Sequence, residues 1–263
     1  MSAYWAILSA RFRVLLQYRA AAVAGFGTQL FWGFIRVMIF TAFYESSTAS
    51  HPMSLPETIN YIWLGQAFLL LLPWNMDRET EQLIRTGNVA YEILRPLDLY
   101  WFWYARAVAL RLAPVILRAV PMFIIASLFL GLEPPPSWSA ALAFGISTLG
   151  ALFLSSALTT LSSISLFWTI SGEGIARFFP SAAILFSGLV LPLPLFPEWL
   201  QPVLNFLPFR GILDVPFRFY MGHIPAAQLL GLFGHQVLWT IFLIMAGRFF
   251  LARGLRRIVV QGG

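Results

Sequence analysis

Six long apolar stretches fill most of this 263-residue chain: about Ala20–Tyr44, Thr58–Trp74, Trp101–Leu130, Ser139–Trp168, Phe179–Leu193 and Ala227–Leu251. A helix needs roughly 20 apolar residues to cross a bilayer, and tilt accommodates longer runs. Trp101–Leu130 is too long for one upright crossing, so its first turns are expected to protrude. Phe179–Leu193 is short and stopped by prolines. Charged residues make up only 11% of the chain against 59% hydrophobic, whereas a soluble domain is about 25% charged. Only a lipid solvent makes that balance workable, because apolar side chains facing lipid need no polar cover. The expected fold is an all-α integral membrane protein with six transmembrane helices in a single domain, 1–263.

Arginine placement sets the orientation. With the N-terminus inside, thirteen arginines fall at cytoplasmic ends: Arg11, Arg13, Arg19, Arg78, Arg85, Arg95, Arg106, Arg111, Arg177, Arg248, Arg253, Arg256 and Arg257. Only Arg210 and Arg218 fall outside, while Arg36 and Arg118 lie within spans. The positive-inside bias therefore puts both termini in the cytoplasm, which an even number of spans requires.

The segments between the spans are distinctive. Residues 1–18 carry no signal-peptide pattern. At helical spacing, Tyr4, Trp5, Leu8, Phe12, Leu15 and Leu16 share one face, opposite Ser9, Arg13 and Gln17. That pattern suits a helix lying in the membrane interface. Residues 77–98 are the most densely charged part of the chain. Asp77–Arg85 reads as a short helix, acidic at its start and basic at its end, as the helix dipole favours. Thr86, Gly87 and Asn88 form a stop and turn, and a second short helix over Val89–Leu94 ends at Arg95-Pro96. With apolar knobs at Leu83, Ile84, Ile93 and Leu94, this element reads either as a docking helix for a soluble partner or as a solvated interhelical loop. The smaller loop before span five, with Glu173 and Arg177 four apart, offers a second contact. Residues 194–226 are too apolar for a loop and too rich in proline for a span, and are expected to form two short helices re-entering the outer leaflet.

Chemistry is scarce. The cysteine count is zero, and His51, His223 and His235 are scattered without metal-ligand spacing, so no metal site is expected. No nucleophile elbow and no buried carboxylate pair stands out, which leaves membrane-embedded hydrolysis and proton-coupled transport without an obvious centre. All 17 basic residues are arginine. A phosphate-binding Walker A loop requires a lysine, so this chain binds neither ATP nor magnesium through one and needs no cofactor of its own. Arg36 and Arg118 are costly inside a bilayer, about 2.5–3.5 kcal/mol each on insertion scales. They line a path for an anionic group, or they snorkel and make structural contacts. Arg210, Asp214 and Arg218, four apart, would form a neutralised ladder on a helix. The aromatic residues around them, including Phe206 and Phe209, either gate an exit or simply pack.

Taken together, this arrangement resembles the permease subunits of ABC exporters of the type-2 class. The resemblance rests on Gly87–Leu97 (GNVAYEILRPL), on Ser187–Phe209 with Gly188, Pro192, Pro197 and Pro208, and on the Tyr18–Ala20 start of span one. It implies a bacterial inner-membrane protein that pairs with a second permease, identical or paralogous. It also implies a separate nucleotide-binding ATPase subunit, which holds ATP and Mg. That subunit would dock on the coupling helix, mapped to Asp77–Thr86, where Asp77, Glu79, Glu81, Arg85, Gly87 and Asn88 would transmit its motion. The path would form from spans one, two and five, capped outside by Pro197–Met221. Membrane lipid, and no nucleic acid, completes the expected partners. The alternative is a dimeric secondary transporter or channel-like protein without an ATPase.

Overall fold

A computed structural model describes residues 3–17, 19–48, 50–168 and 173–256, with backbone alone at 19–22 and 173–177. The described residues are predominantly helical, with no strand among them. In order they form α1 (Ala3–Leu16), α2 (Arg19–Ser46), α3 (Leu55–Ala67), α4 (Arg78–Arg85), α5 (Val89–Ile93), α6 (Leu99–Phe129), α7 (Trp138–Ile164), α8 (Glu173–Phe186), α9 (Gln201–Phe206), α10 (Asp214–Tyr220) and α11 (Leu229–Leu255).

Helix starts follow local chemistry. Ser54 caps α3 in a capping box: its Oγ accepts from Glu57 N, and the Glu57 carboxylate accepts from Ser54 N at 2.6 Å. Asp77, Asp98 and Ser137 accept main-chain N–H groups at the starts of α4, α6 and α7. Each satisfies a donor the first helical turn leaves unpaired.

Four helical segments are long and apolar enough to cross a membrane: Val23–Ser46, Leu99–Phe129, Trp138–Trp168 and Ala226–Leu255. They correspond to expected spans one, three, four and six. Spans two and five are shorter than that criterion. α3 ends at Phe68 and continues as a 3-10 turn over Leu69–Leu71 before Pro73. Its loosened end is stitched by Trp74 Nε1, which donates to Leu69 O at 2.7 Å. α8 carries Pro180 and stops before Gly188, whose φ is +95°.

The interior is built around α7, which packs against α6, α10 and α11. Its C-terminal half is lined with buried hydroxyls: Ser155, Ser156, Thr159, Thr160, Ser162 and Ser163. None is orphaned. Ser155 Oγ donates to Leu71 O of the 3-10 turn, and the rest bond carbonyls four residues back. This is how polar side chains are accommodated in an apolar setting. Gln236 of α11 is fully buried and donates to both Ser147 O (2.9 Å) and Gly211 O (2.7 Å), joining α11, α7 and the segment between α9 and α10. α6 runs unbroken through Pro114 and Pro121. α1 packs lengthwise along the first turns of α6, with Ile7 and Leu8 against the core. Trp5, on the apolar face expected to meet the membrane interface, is exposed.

Candidate functional site

The charged segment after α3 is held by three arginines from other elements. Arg111 of α6 donates to Asn75 O (2.7 Å) and to Thr159 Oγ1 of α7 (2.8 Å), fixing the chain just before α4. Arg106, one and a half turns earlier on α6, donates from Nε to Asp77 Oδ2 (2.7 Å) and from Nη2 to Glu79 Oε2 (2.6 Å). Arg11 of α1 completes the cluster, reaching Glu79 Oε2 at 3.1 Å and Asp77 Oδ1 at 3.3 Å. Asp77 is buried and also caps α4, so one carboxylate starts the helix and anchors it. Two guanidinium groups against two carboxylates leave the cluster neutral, which the burial of Asp77 and Arg106 requires.

The Arg106 guanidinium, its largest influence, holds the Glu79 carboxyl below the ordinary glutamate range against the opposing pull of desolvation. Glu79 therefore stabilises the fold fully above its unfolded value of about 4.3. That contribution disappears as pH falls through the lowered folded value. Glu79→Gln is expected to flatten the acid limb of an unfolding-versus-pH curve. An unchanged limb would remove Glu79 from the cluster's energetics.

Further charges pair within the segment, with Arg85 and Arg95 exposed and Glu92 buried. Glu81 and Arg85 pair across one turn at 3.0 Å, as do Glu92 and Arg95. Gly87 has φ +75°, the left-handed turn expected of it, whereas Asn88 is right-handed at φ −65°. Gly87 makes the reversal by itself, and Asn88 already has the backbone of the helix that resumes at Val89. Of the four expected knobs, Leu83 and Ile84 pack against the core, while Ile93 and Leu94 are exposed together with Tyr91. The side chains of Glu173 and Arg177 lie outside the described residues.

Farther along the spans, Arg36 of α2 sits at the rim of a groove between α2, α3 and the turn after α8. Its Nη2 donates to Leu189 O and to Val190 O, the latter at 2.7 Å. Arg118 lies elsewhere, its guanidinium against Gly25 of α2. Phe206 and Phe209 do not form one cluster: Phe206 is exposed and packs on Trp239, whereas Phe209 is buried beside Phe186. The proposed Arg210–Asp214–Arg218 ladder is half made. Arg218 approaches Asp214 at 3.9 Å, but Arg210 lies in a 3-10 turn and donates to Asn205 Oδ1. The break in helix between residues 211 and 214 removes the spacing on which the ladder depended. Asp214 is buried and accepts from Tyr61 Oη at 3.2 Å, and Tyr61 itself went unremarked in the sequence. No group of three or more potential metal ligands occurs among the described residues.

Neither a search of curated proteins nor one of solved structures returns a match. Residues 30–262 match the family model described as ABC-2 family transporter protein. That match covers most of the chain, so the protein belongs to this family, as a multi-pass membrane permease component of ABC-type transport that is not itself catalytic.

Proposed function

We propose that the chain is half of the translocation unit of an ATP-driven exporter in a bacterial inner membrane. It spans the bilayer six times, with both termini in the cytoplasm. α3 with its 3-10 continuation makes the second crossing and α8 the fifth. The segment 194–226 re-enters the outer leaflet and caps the path. A second permease, identical or paralogous, supplies the other half. A separate ATPase binds ATP and Mg and docks on α4.

The observation that carries this reading is the clamp on α4. A short, charged, surface helix would ordinarily move with its loop. Here Arg11, Arg106 and Arg111 tie its start to α1 and α6. A push delivered to α4 by a docked partner therefore reaches the long helices directly. The exposed Tyr91, Ile93 and Leu94 beside it supply apolar contact for such a partner. Asp77 and Glu79 then act as anchors, and Glu81, Arg85 and Asn88 as the contact face.

Charge reversal at that face, Glu81→Arg or Arg85→Glu, is expected to reduce co-purification of the ATPase and permease-dependent ATP hydrolysis by about tenfold. Each reversal places like charges across a rim where a pair had been, a change of about 1 kcal/mol or more. Full assembly and full stimulated hydrolysis in both variants would count against docking at α4. ATP-independent transport by the purified chain would instead favour the secondary-transporter reading, for which the buried Tyr61–Asp214 pair with Arg218 beside it is a candidate ionisable group.

A further inference from the structure

The groove beside Arg36 holds polar groups that the fold itself leaves unused. It has a volume of about 520 Å³, within the range of small-molecule sites. Its walls are apolar, with Trp32, Trp74 and Leu189 among them. Two amide side chains also line it, Gln29 of α2 and Gln66 of α3, each only 2% exposed. Neither Oε1 nor Nε2 of Gln29 has a partner in the chain, and Oε1 of Gln66 has none. Other buried polar atoms are unpartnered too, Thr148 Oγ1 of α7 and Gln236 Oε1 among them, but Gln29 and Gln66 are the pair that line one groove.

We propose that this groove binds a neutral amphiphile whose headgroup carries hydroxyls, with its alkyl chain along the tryptophan-lined wall and its hydroxyls on Gln29 and Gln66. The unmade bonds decide the class. Two amide oxygens accept and one amide nitrogen donates. A phosphate or sulfate ester only accepts, so it would satisfy one group of the three. A sugar or polyol hydroxyl both donates and accepts, and satisfies all three. The one cation at the rim, Arg36, is already committed to two main-chain carbonyls. An anionic headgroup would have to compete with those bonds. An alkyl chain matches the remaining wall, where the one further side-chain hydroxyl, Thr28, already donates to Ala24 O.

This inference takes its biological sense from the permease reading, but it is tested on the chain without an ATPase, so the two can fail separately. The chain is placed in phosphatidylcholine nanodiscs, and binding of radiolabelled dodecyl maltoside is measured against empty discs. Competitors are unlabelled dodecyl maltoside, dodecylphosphocholine, dodecyl phosphate and free maltose. The expected result is saturable binding displaced by dodecyl maltoside alone. In Gln29→Leu/Gln66→Leu, affinity is expected to fall about tenfold or more, as loss of at least one hydrogen bond predicts. Its unfolding midpoint should hold or rise, because two unpaired buried amides are gone. The single variants carry the comparison if the double variant does not fold. Equal competition by all three dodecyl compounds would mean that only the chain is read, and would overturn the headgroup assignment. Competition by maltose as strong as by dodecyl maltoside would reassign the groove to a soluble sugar. Unchanged binding with loss of the dimer by mass would assign the amides to contact between two copies, which also overturns the proposal.

Discussion

Arg106→Ala is expected to lower the stability of the protein by about 3 kcal/mol and to uncouple ATP hydrolysis from transport. Removing one partner of a buried ion pair costs about 3–5 kcal/mol, because the other charge stays buried and uncompensated. Asp77 is that charge. The lower end applies because Arg11 still reaches Asp77 at 3.3 Å. Arg106→Lys keeps the charge but not the fork that bonds Asp77 and Glu79 together, so it should recover only part of the loss. The functional effect should exceed the thermal one. With Arg106 gone, α4 remains attached by Arg11, whose own helix α1 has no fully buried residue. Unfolding of the purified protein with parallel ATPase and transport assays separates the two effects. Stability within about 0.5 kcal/mol of the parent, the range of ordinary surface substitutions, would show that the cluster is not a structural clamp.

Gly188→Ala is the second large effect. At φ +95° this backbone is one that residues with a Cβ adopt only under strain of about 1–3 kcal/mol. A Cβ here would also run into the hydroxyl of Tyr61. Tyr61 cannot easily yield, because it is fully enclosed, its hydroxyl bonds Asp214, and its ring packs edge-on against Phe217. Together the two terms should reach about 3 kcal/mol or more, combining backbone strain and overpacking. They are separable. In a Tyr61→Phe background the collision is relieved but the backbone strain is not, so Gly188→Ala should then cost only about 1–3 kcal/mol. Equal costs in both backgrounds would refute the steric half of the argument. The same substitution disturbs Leu189 and Val190, whose carbonyls hold Arg36. A measurable change at the groove is therefore expected as well.

Much of this was legible in the sequence because hydrophobic run length and helix punctuation are local properties. The four long helices, the α4 start at Asp77, the Gly87 turn and the resumption at Val89 all follow from spacing and capping chemistry. What the sequence did not yield depends on which helices meet. Arg106 is one of thirteen arginines expected on the cytoplasmic side, and only the packing of α6 against the chain before α4 sets it apart. Asp77 and Glu79 read as surface charges suited to a partner, yet they are spent on internal pairs. Arg210 reads as part of a ladder because i, i+4 spacing presumes one continuous helix, and here a 3-10 turn ends at Gly211 before α10 begins at Asp214. Gln29 and Gln66 were invisible for a different reason. A glutamine in an apolar run carries no motif, and its meaning appears only when its hydrogen bonds are accounted for.

The two prolines of α6 give that helix a mechanical character. Pro114 and Pro121 lack the N–H groups that would have bonded the carbonyls of Leu110 and Leu117. Being seven residues apart, they remove those bonds from the same side. A rod weakened twice along one side is compliant in one plane and stiff in the other. Its N-terminal part is gripped at Arg106, and its C-terminal part carries Phe123, packed on Tyr220 of α10 and Phe144 of α7. Deflection at one end is thereby steered along a fixed direction toward the other, as in a leaf spring.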